Sequence, residues 1–430
     1  MKNPRVMVIG ANGFIGRRLT MEMIAAGFET YAAIRSERDA AFLPGAMVVK
    51  CDMRIDDSRI WAARLKDVDI VLNCAGIIRD HDDAYDHVHD KGARALFEGA
   101  RTACVQKVIQ ISALGASHDA TAHFLRSKWA ADEHLQGMDD IDWAILRPSI
   151  VVGHGGRSTT LLTRLAILPL PPRIGPGTWR IQPIHIDDVA RCVLSLVRAD
   201  GPTRRIIDLV GPRAMTTDEI TSILRRSAGL PDHATVPIPA VLQKVGVLAM
   251  ERLTRLPVTR ESLSMLEAGS VGDPCQIIRL TGMKPVDLEV ALAKSHLGEG
   301  ALAGETLIPA RHILRLLLAF IWLCGGIIPL LFTPWETNRL LLEGVGLAGR
   351  SAVVAMVAGA VLDVGIGVAL AFRWKVGPIM IFSMLLMTFY TLVLTRHSPD
   401  LWADPFGALV KNAAVLGLSF SVWATERRHG

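Results

Sequence analysis

Three glycines near the start of the chain could form a site for a phosphate-bearing ligand. They are spaced G-x-x-G-x-x-G in "VMVIGANGFIGRRL", between an apolar run and an amphipathic one. In a strand–turn–helix unit, the first glycine allows a tight turn, the second lets the backbone approach a pyrophosphate, and the third lets helix and strand pack closely. Free N–H groups and the dipole at the helix start then favour an anion. The predicted dinucleotide-binding loop comprises Gly10, Asn12, Gly13, Phe14, Ile15 and Gly16.

The end of the next apolar strand, "TYAAIR", indicates which nucleotide is bound. An NAD site usually has Asp or Glu at this point for the ribose 2′-hydroxyl. This chain has Arg35, followed by Ser36 and Arg38. A carboxylate would repel a 2′-phosphate, whereas a guanidinium can hold it in a fork. We therefore expect NADP(H) as the favoured cofactor and NAD(H) as the alternative.

Short apolar strands alternate with helical stretches up to about residue 300. The clearest strands are "RVMVIG", "TYAAIR", "DIVLNCAG", "KVIQIS" and "DWAILRP". This alternation predicts an α/β fold, a doubly wound parallel sheet with helices on both faces. After the Pro/Gly-rich loop at 168–177 the pattern is less regular, which indicates a small substrate-side subdomain. We assign 1–298 to this dinucleotide-binding domain.

These motifs together resemble a known family. Residues 1 to about 298 are similar to an atypical or extended short-chain dehydrogenase/reductase, in the branch that resembles the NAD(P)-binding accessory subunit of respiratory complex I. The resemblance rests on "GANGFIG", "CDMRI" (51–55), "NCAG" (73–76), "ISALGAS" (111–117), "FLRSK" (124–128), "LRPSIVVG" (146–153) and "QPIHIDDVA" (182–190). It implies a Rossmann fold and an NAD(P)-dependent oxidoreductase.

The resemblance also implies roles for individual residues. Asp52 and Met53 would border the adenine, and Ala75 and Gly76 would line the cofactor. Lys128 would reach the nicotinamide ribose. Pro148 and Ser149 would lie near the nicotinamide.

The catalytic residues that the family implies are incomplete in this chain. In the family a Tyr exchanges the substrate proton, a Lys lowers the pKa of that Tyr, and a Ser polarises the substrate carbonyl. Ser112 and Lys128 match this pattern, whereas Phe124 stands in the place of the Tyr. Phenylalanine has no proton to give, and general acid–base help is worth roughly 100- to 10,000-fold. We therefore expect tyrosine-dependent carbonyl reduction to be badly impaired.

A stretch rich in His and Asp, "RDHDDAYDHVHDKG" at 79–92, offers a second set of reactive side chains. Asp83 and His87 are four residues apart, so on a helix they could share a metal ion. No distant Cys or His motif completes such a site, and we predict no metal. The stretch is better interpreted as a substrate-side loop over the cofactor cleft.

The composition of the chain changes after residue 310 and becomes largely apolar. Four long apolar runs follow, at 313–332, 352–372, 376–395 and 406–423. A membrane-spanning helix needs roughly 20 residues, and each run is close to that length. This part, 310–425, resembles the DoxX-like four-helix membrane domain. Arg315 and Lys411 lie near run ends, where long side chains can snorkel. Asp363 is in mid-span, with a salt bridge to Lys411 as one interpretation.

Charge limits the location and the partners. Lys and Arg residues flank the first run, fill the short second loop and close the chain, which predicts that the head and both termini are cytoplasmic. The resemblance implies a multi-pass protein of a bacterial inner membrane. The formal net charge of +5 is small for 430 residues, and no basic stretch with aromatics appears, so nucleic acid is not expected as a partner.

Two functions fit these residues. The first is a membrane-anchored, NADP(H)-preferring oxidoreductase with a lipid-like or quinone-like substrate, because a two-electron acceptor such as a quinone could take its protons from water. The second is a non-catalytic NAD(P)H-binding redox sensor or assembly scaffold in a membrane protein complex. Phe124 favours the second, while the glycine loop fits both.

Overall fold

The computed structural model describes residues 3–78, 84–168, 170–199, 204–253, 259–294, 299–405, 407 and 409–426. The chain divides into two compact units, Met1–Glu299 and Gly300–Gly430.

The strands belong to the first unit. They are β1 (Arg5–Ile9), β2 (Glu29–Ile34), β3 (Met47–Lys50), β4 (Ile70–Asn73), β5 (Lys107–Ile111), β6 (Asp142–Pro148), β7 (Val151–Val152), β8 (Arg180–Ile181), β9 (Ile184–His185), β10 (Arg205–Leu209) and β11 (Met215–Thr216). Seven of them form one sheet in the order β3-β2-β1-β4-β5-β6-β10, and every neighbouring pair is parallel. The predicted doubly wound sheet is confirmed. The sequence analysis did not single out β3 and β10.

Helices cover both faces of this sheet. They are α1 (Phe14–Ala25), α2 (Ser58–Leu65), α3 (Gly92–Thr102), α4 (His123–Gln136), α5 (Arg157–Ala166), α6 (Ile186–Arg198), α7 (Thr217–Ser227), α8 (Ala240–Leu253), α9 (Arg260–Ala268), α10 (Cys275–Thr281) and α11 (Leu288–Lys294). Alternate residues of β1 point to opposite faces, so Val6 and Val8 join the core with α1 and α6, and Met7 and Ile9 join the core with α2, α3 and α4. A 3-10 helix, Glu37–Phe42, and a π-helix, Asp86–Lys91, complete the set.

A smaller core lies beside the sheet. It joins α5, α7 and α11 to the short strands β8 and β11, with Ile181, Met215, Ile220 and Leu288 at its centre. Thr216 begins α7 with a capping box to Glu219. This core is the small subdomain that the sequence indicates.

The second unit is helical. Its helices are α12 (Glu299–Leu331), α13 (Trp335–Gly344), α14 (Arg350–Ala371), α15 (Val376–His397) and α16 (Val410–Glu426). Among the described residues, three segments are long and apolar enough to cross a membrane, in α12, α14 and α15, and α16 is a shorter apolar helix. The predicted fourth run began at 406, which is outside the described residues. Helix α13 lies in a stretch that the sequence analysis treated as a loop.

Small residues bring α12 and α14 together. A β carbon on Gly326 would lie 2.5 Å from the carbonyl oxygen of Ala360, and one on Gly367 would lie 2.7 Å from the Leu323 side chain. Close backbone approach of this kind is how helices associate where lipid supplies no hydrophobic drive. Large side chains on the outer faces of these helices, such as Leu385 and Phe389, are exposed.

Candidate functional site

The glycine loop lies where the strand order reverses. Strand β1 pairs with β2 on one side and with β4 on the other. In doubly wound sheets, ligands bind in the crevice beyond the carboxyl ends of the strands at this point. Gly10 follows β1 there with φ +71°, and a β carbon on it would lie 3.1 Å from Cα of Ala75. A β carbon on Gly16 would lie 2.2 Å from the carbonyl oxygen of Gly10, so both positions require glycine.

The start of α1 suits an anion. Gly13 is the N-cap of α1 and offers no side chain to cap the first N–H groups of the helix. The first turn, from Phe14, carries no acidic residue. Those N–H groups and the positive end of the helix dipole are therefore available to a phosphate.

A cavity of about 240 Å³ opens beside this helix start. It is lined by Asn12, Arg17, Asp39 and Phe42. Asn12 Nδ2 donates a hydrogen bond of 2.7 Å to Asp39 Oδ2, and the Phe42 ring is 63% exposed. The sequence analysis missed Asp39 and Phe42. The only signal for them was a carboxylate and an aromatic residue shortly after the second strand. Arg35, the predicted 2′-phosphate ligand, is exposed at the end of β2.

Asp52 and Met53, the predicted adenine neighbours, follow β3. The Asp52 carboxylate pairs with Arg54 at 2.6 Å, and this pair lowers the pKa of Asp52. Met53 is buried, and its carbonyl oxygen would lie 2.1 Å from a β carbon on Gly92. The turn after β3 is therefore fixed against the start of α3.

Lys128 joins the ends of two central strands. Its Nζ donates hydrogen bonds of 3.1 Å to the carbonyl oxygens of Ala75, after β4, and Ile111, at the end of β5. The side chain is 4% exposed, and burial lowers the pKa of Lys128 to about 8. A β carbon on Gly76 would lie 3.4 Å from Nζ. An ammonium group has three donors, so two strand carbonyls leave one N–H for a further acceptor.

His89 fixes the segment after β4 from the other side. Its Nε2 accepts a hydrogen bond of 2.9 Å from the backbone N–H of Ile77, so the ring proton is on Nδ1. Nδ1 lies 3.0 Å from Ser127 Oγ, which in turn donates to the carbonyl oxygen of Phe124 at 2.8 Å. Burial, reinforced by the Lys128 charge, holds the pKa of His89 well below its ordinary value. The sequence analysis missed this neutral histidine.

Phe124 packs in an aromatic and apolar cluster. Its ring meets Tyr85 edge-on at 5.7 Å and His89 at 5.3 Å between centroids. It also packs against the core of Ala113 and Leu125, as does Met265 from α9. The adjacent His123 places Nε2 2.9 Å from Asp86 Oδ1.

Helix α9 of the substrate-side portion reaches this position. Glu261 Oε1 accepts a hydrogen bond of 2.7 Å from the backbone N–H of Phe124. Thr259 caps the same helix and exchanges hydrogen bonds with Ser262. Helix α9 therefore lies directly against the position where the family has its proton donor.

The Ser112 hydroxyl is held inside the domain. Ser112 Oγ donates to Asp132 Oδ2 at 2.7 Å, and Arg147 donates to the same oxygen at 3.1 Å. The Asp132 side chain is fully buried, and burial raises the pKa of Asp132 despite these two partners. The hydroxyl therefore serves a buried carboxylate.

Pro148 and Ser149 end β6. The carbonyl oxygen of Pro148 accepts from the N–H of Leu114, and the N–H of Ser149 donates to Leu209 at the end of β10. Ser149 Oγ and Ser270 Oγ are 2.8 Å apart. Both residues thus lie at the carboxyl edge of the sheet, the edge that also carries Gly10 and Ala75.

The His- and Asp-rich stretch is only partly described. Asp83, one half of the metal pair considered from the sequence, lies outside the described residues. The described part holds no group of three or more side chains that could ligate a metal ion.

Comparison with known proteins matches both parts of the chain. Residues 10–199 match the NAD(P)H-binding family and residues 319–420 match the DoxX-like family. The chain carries an NAD(P)H-binding Rossmann domain followed by a DoxX-like domain. The resemblance stated from the sequence is therefore confirmed.

The relatives of the NAD(P)H-binding domain are diverse. The chain is 30% identical over 237 residues to the mitochondrial NADH dehydrogenase (ubiquinone) 1 alpha subcomplex subunit 9 of Arabidopsis thaliana, which covers 50% of this chain and 56% of that protein. The chain thus spans just over half the length of this relative. It is 26% identical over 259 residues to a ceramide reductase of Caulobacter vibrioides, covering 59% and 80%. A nucleoside-diphosphate-sugar epimerase from Staphylococcus aureus shares the fold, with a TM-score of 0.56, 18% identity and coverage of 67% and 99%.

The DoxX-like domain has a polar pair between two of its spanning helices. Tyr390 donates from its hydroxyl to Asp363 Oδ1 at 3.4 Å. A β carbon on Gly325 would lie 3.4 Å from the other carboxylate oxygen, so α12 also approaches this pair. The described residues place Asp363 against Tyr390 in α15 and show no ion pair between Asp363 and Lys411, so the interpretation that these two pair is wrong.

Proposed function

We propose that this protein binds NAD(P)H in its head as a membrane-anchored redox sensor or assembly module, without reducing a carbonyl substrate. The observation that carries this proposal is the packing of Phe124. Its ring is partly buried and packs against Tyr85, His89 and apolar side chains, and Glu261 of α9 accepts a hydrogen bond from its backbone N–H. A phenyl ring in this position supplies no proton and no hydrogen bond to a substrate oxygen.

The two matching family residues support the same conclusion. Ser112 gives its hydroxyl proton to Asp132, so it is not directed at a substrate carbonyl. Lys128 gives two of its three N–H groups to strand carbonyls, and the third suffices for a ribose hydroxyl. This arrangement fits cofactor binding better than proton transfer.

The cofactor would lie along the carboxyl edge of the sheet. Its pyrophosphate would meet the loop from Gly10 to Gly16, its adenine would lie near Asp52 and Met53, and its nicotinamide would lie near Pro148 and Ser149. Ala75 and Gly76 would line the middle of the cleft. Arg17 lines the cavity beside the helix start and suits a phosphate.

NADP(H) is our proposal for the favoured cofactor, with NAD(H) second. Arg35 is exposed at the end of β2 and can pair with a 2′-phosphate. Asp39 acts in the opposite direction, because its carboxylate, in the cavity beside the helix start, can accept from a ribose 2′-hydroxyl and repels a phosphate. The preference therefore depends on these two residues and is modest.

A second candidate function is hydride transfer to a quinone-like or lipid acceptor at the membrane. Gly76 is exposed beside Lys128, so the site is open where the nicotinamide would lie. Hydride transfer to a quinone needs no protein acid. The similarity to a ceramide reductase is consistent with a lipid substrate. The similarity to the plant subunit is consistent with a membrane protein complex as partner.

The DoxX-like domain and its apolar helices support a location in a membrane. We propose a multi-pass protein of a bacterial inner membrane, with the head and both termini in the cytoplasm. Arg311 and Arg315 near the start of the first span, and Arg373 and Lys375 between α14 and α15, support this orientation. The two arginines at 427 and 428, which close the chain and were counted for the same orientation, lie outside the described residues.

The test uses the full chain purified in detergent. Calorimetric titration with NADPH and NADH measures binding, and the loss of NADPH absorbance measures turnover with a short-chain quinone and with a ketone-bearing lipid. We expect binding without turnover. Oxidation of NADPH by the quinone would replace the sensor proposal with the second candidate, and failure to bind either nucleotide would overturn both.

The variant Phe124→Tyr completes this test. If ketone reduction appears in the variant alone, the missing acid was the sole defect and the native site accepts a carbonyl substrate. If neither protein reduces the ketone while both bind NADPH, the site is built for binding.

A further inference from the structure

One end of the DoxX-like domain collects buried positive charge. The start of the first span, the end of α14, the beginning of α15 and the end of α16 meet there. Arg311 Nε lies 3.6 Å and a terminal nitrogen of Arg373 lies 3.9 Å from Glu426 Oε1. Arg315 donates to the carbonyl oxygens of Leu370 and Ala371. The prediction that Arg315 snorkels outward is wrong, because it turns inward and caps α14.

This cluster leaves buried polar atoms without a hydrogen bond in the described part of the chain. Arg311 and Arg315 are buried, the latter to 5% exposure, and Glu426 is the carboxylate that the described residues place among three guanidinium groups. Arg315 Nε is buried and makes no hydrogen bond within the described part of the chain, and neither does Glu426 Oε1. A buried guanidinium whose Nε makes no hydrogen bond is costly in a membrane domain unless an anion joins it.

The loop between α14 and α15 completes the site. Its four residues, Phe372 to Lys375, alternate aromatic and basic side chains. Phe372 and Trp374 are exposed, and Lys375 Nζ lies 5.7 Å from the centre of the Trp374 ring. Arg373 and Lys375 both have positive φ, +58° and +43°, which non-glycine residues rarely adopt and which is often kept where a site needs it. Exposed aromatics at the end of a span are typical of the lipid headgroup layer.

We propose that this end of the bundle binds the phosphate of an anionic phospholipid. The phosphate would pair with Arg373 and with the unbonded Nε of Arg315, and Lys375 would face the rest of the headgroup. Phe372 and Trp374 would lie beside its glycerol and upper acyl region. These two exposed apolar rings favour a lipid over free phosphate, because a free ion would gain nothing from them. Basic clusters of this kind recognise anionic headgroups on the cytoplasmic side.

The experiment compares two variants of one helix region. Arg373→Gln removes a charge from the site and is chosen over Arg315 because Arg373 is 53% exposed and caps no helix. Arg350→Gln is the matched control, since Arg350 is exposed at the opposite end of α14. The full-length protein, stripped of lipid in detergent, is titrated with phosphatidylglycerol, phosphatidylcholine or inorganic phosphate, and the melting temperature is followed.

We expect phosphatidylglycerol to raise the melting temperature and phosphatidylcholine to have little effect. Arg373→Gln should weaken the apparent affinity for phosphatidylglycerol about fivefold, the value of one basic residue near an anionic headgroup, while Arg350→Gln leaves it unchanged. An equal response to phosphatidylcholine, or an unchanged affinity in Arg373→Gln, would overturn the site. An equal response to inorganic phosphate would overturn the lipid as its occupant.

Discussion

The two halves of the cleft in the NAD(P)H-binding domain differ in what their residues are free to do. In the cofactor half, the glycine loop and the start of α1 present backbone N–H groups to the cleft, and glycine is sterically required at Gly10 and Gly16. In the reaction half, Ser112 is bonded to Asp132 and Lys128 is bonded to two carbonyls. The partly buried ring of Phe124 packs edge-on against two other rings.

The proposed function interprets this difference as a binding site that persists without the chemistry beside it. Phosphate recognition depends on backbone geometry and a helix dipole, which a side-chain substitution elsewhere does not change. Proton transfer depends on a particular side chain at one position. Under the proposed function, Phe124 removes the second property and leaves the first intact.

The largest effect should come from the variant Gly16→Ala. The added β carbon would lie 2.2 Å from the Gly10 carbonyl oxygen, so α1 must move away from the loop. We expect NADPH affinity, measured by calorimetry, to fall about 100-fold or more, equal to roughly two hydrogen bonds to a charged group. Gly137→Ala is the control, because its β carbon would meet its nearest neighbour at 3.5 Å. Retained affinity in Gly16→Ala would show that the cofactor binds elsewhere.

Lys128, between the two halves, should give the protein a pH-dependent stability. The pKa of Lys128 is about 8 in the folded protein against an ordinary 10.5. Below pH 8 folding must bury a charged ammonium and the full cost applies. Between 8 and 10.5 the unfolded chain binds the proton more tightly than the folded one, so the free energy of unfolding rises with pH, by roughly 3 kcal/mol in total.

The comparison of Lys128→Met with Lys66→Met isolates this contribution. Lys66 is exposed, so its removal should leave the rise from pH 8 to 10 unchanged. In Lys128→Met the rise should be smaller, as measured by chemical unfolding in detergent at several pH values. Parallel curves for the native chain and Lys128→Met would mean that the lysine keeps its ordinary pKa.

The cofactor preference should respond in opposite directions to two substitutions. Asp39→Asn keeps the shape that bonds Asn12 and removes the charge, so the ratio of NADPH to NADH affinity should rise about tenfold, the value of one charged hydrogen bond. Arg35→Ala should lower the same ratio by a similar factor. Asp140→Asn, an exposed residue at the far edge of the sheet, should change neither affinity. If the ratio of NADPH to NADH affinity is unchanged in Asp39→Asn, the ribose 2′-position lies away from this cavity.

Local patterns predicted the cofactor half and could not predict the reaction half. The spacing of Gly10, Gly13 and Gly16 and the apolar runs are contained within short stretches, so they identify β1, α1 and most of the sheet. Strands β3 and β10 were missed because they are the two edge strands of the sheet and carry exposed residues, so their apolar runs are weak.

The contacts that occupy the side chains of the reaction half connect positions that are far apart in the sequence. Ser112 meets Asp132, His89 meets Ser127, and Glu261 meets Phe124, and no spacing rule joins such pairs. The resemblance to the family predicted that Phe124 stands in the place of a tyrosine. It could not show that the ring is packed beneath α9, because that contact depends on how the substrate-side portion folds back.

The smallest effect should come from Ser112→Ala, and it tests the comparison most sharply. In a site that polarised a carbonyl, the loss of this hydroxyl would reduce turnover by a large factor and spare stability. Here the hydroxyl donates to a buried carboxylate that keeps Arg147 as a second partner. We expect a loss of about 1 kcal/mol in the free energy of unfolding and NADPH affinity within about twofold of the native value, since no hydrogen bond to the cofactor is removed. The variant Ser112→Thr should restore the free energy of unfolding, because it keeps a hydroxyl that can donate to Asp132. A variant of native stability that has lost NADPH affinity would show that Ser112 faces the cofactor, and the two halves of the cleft would then share their side chains.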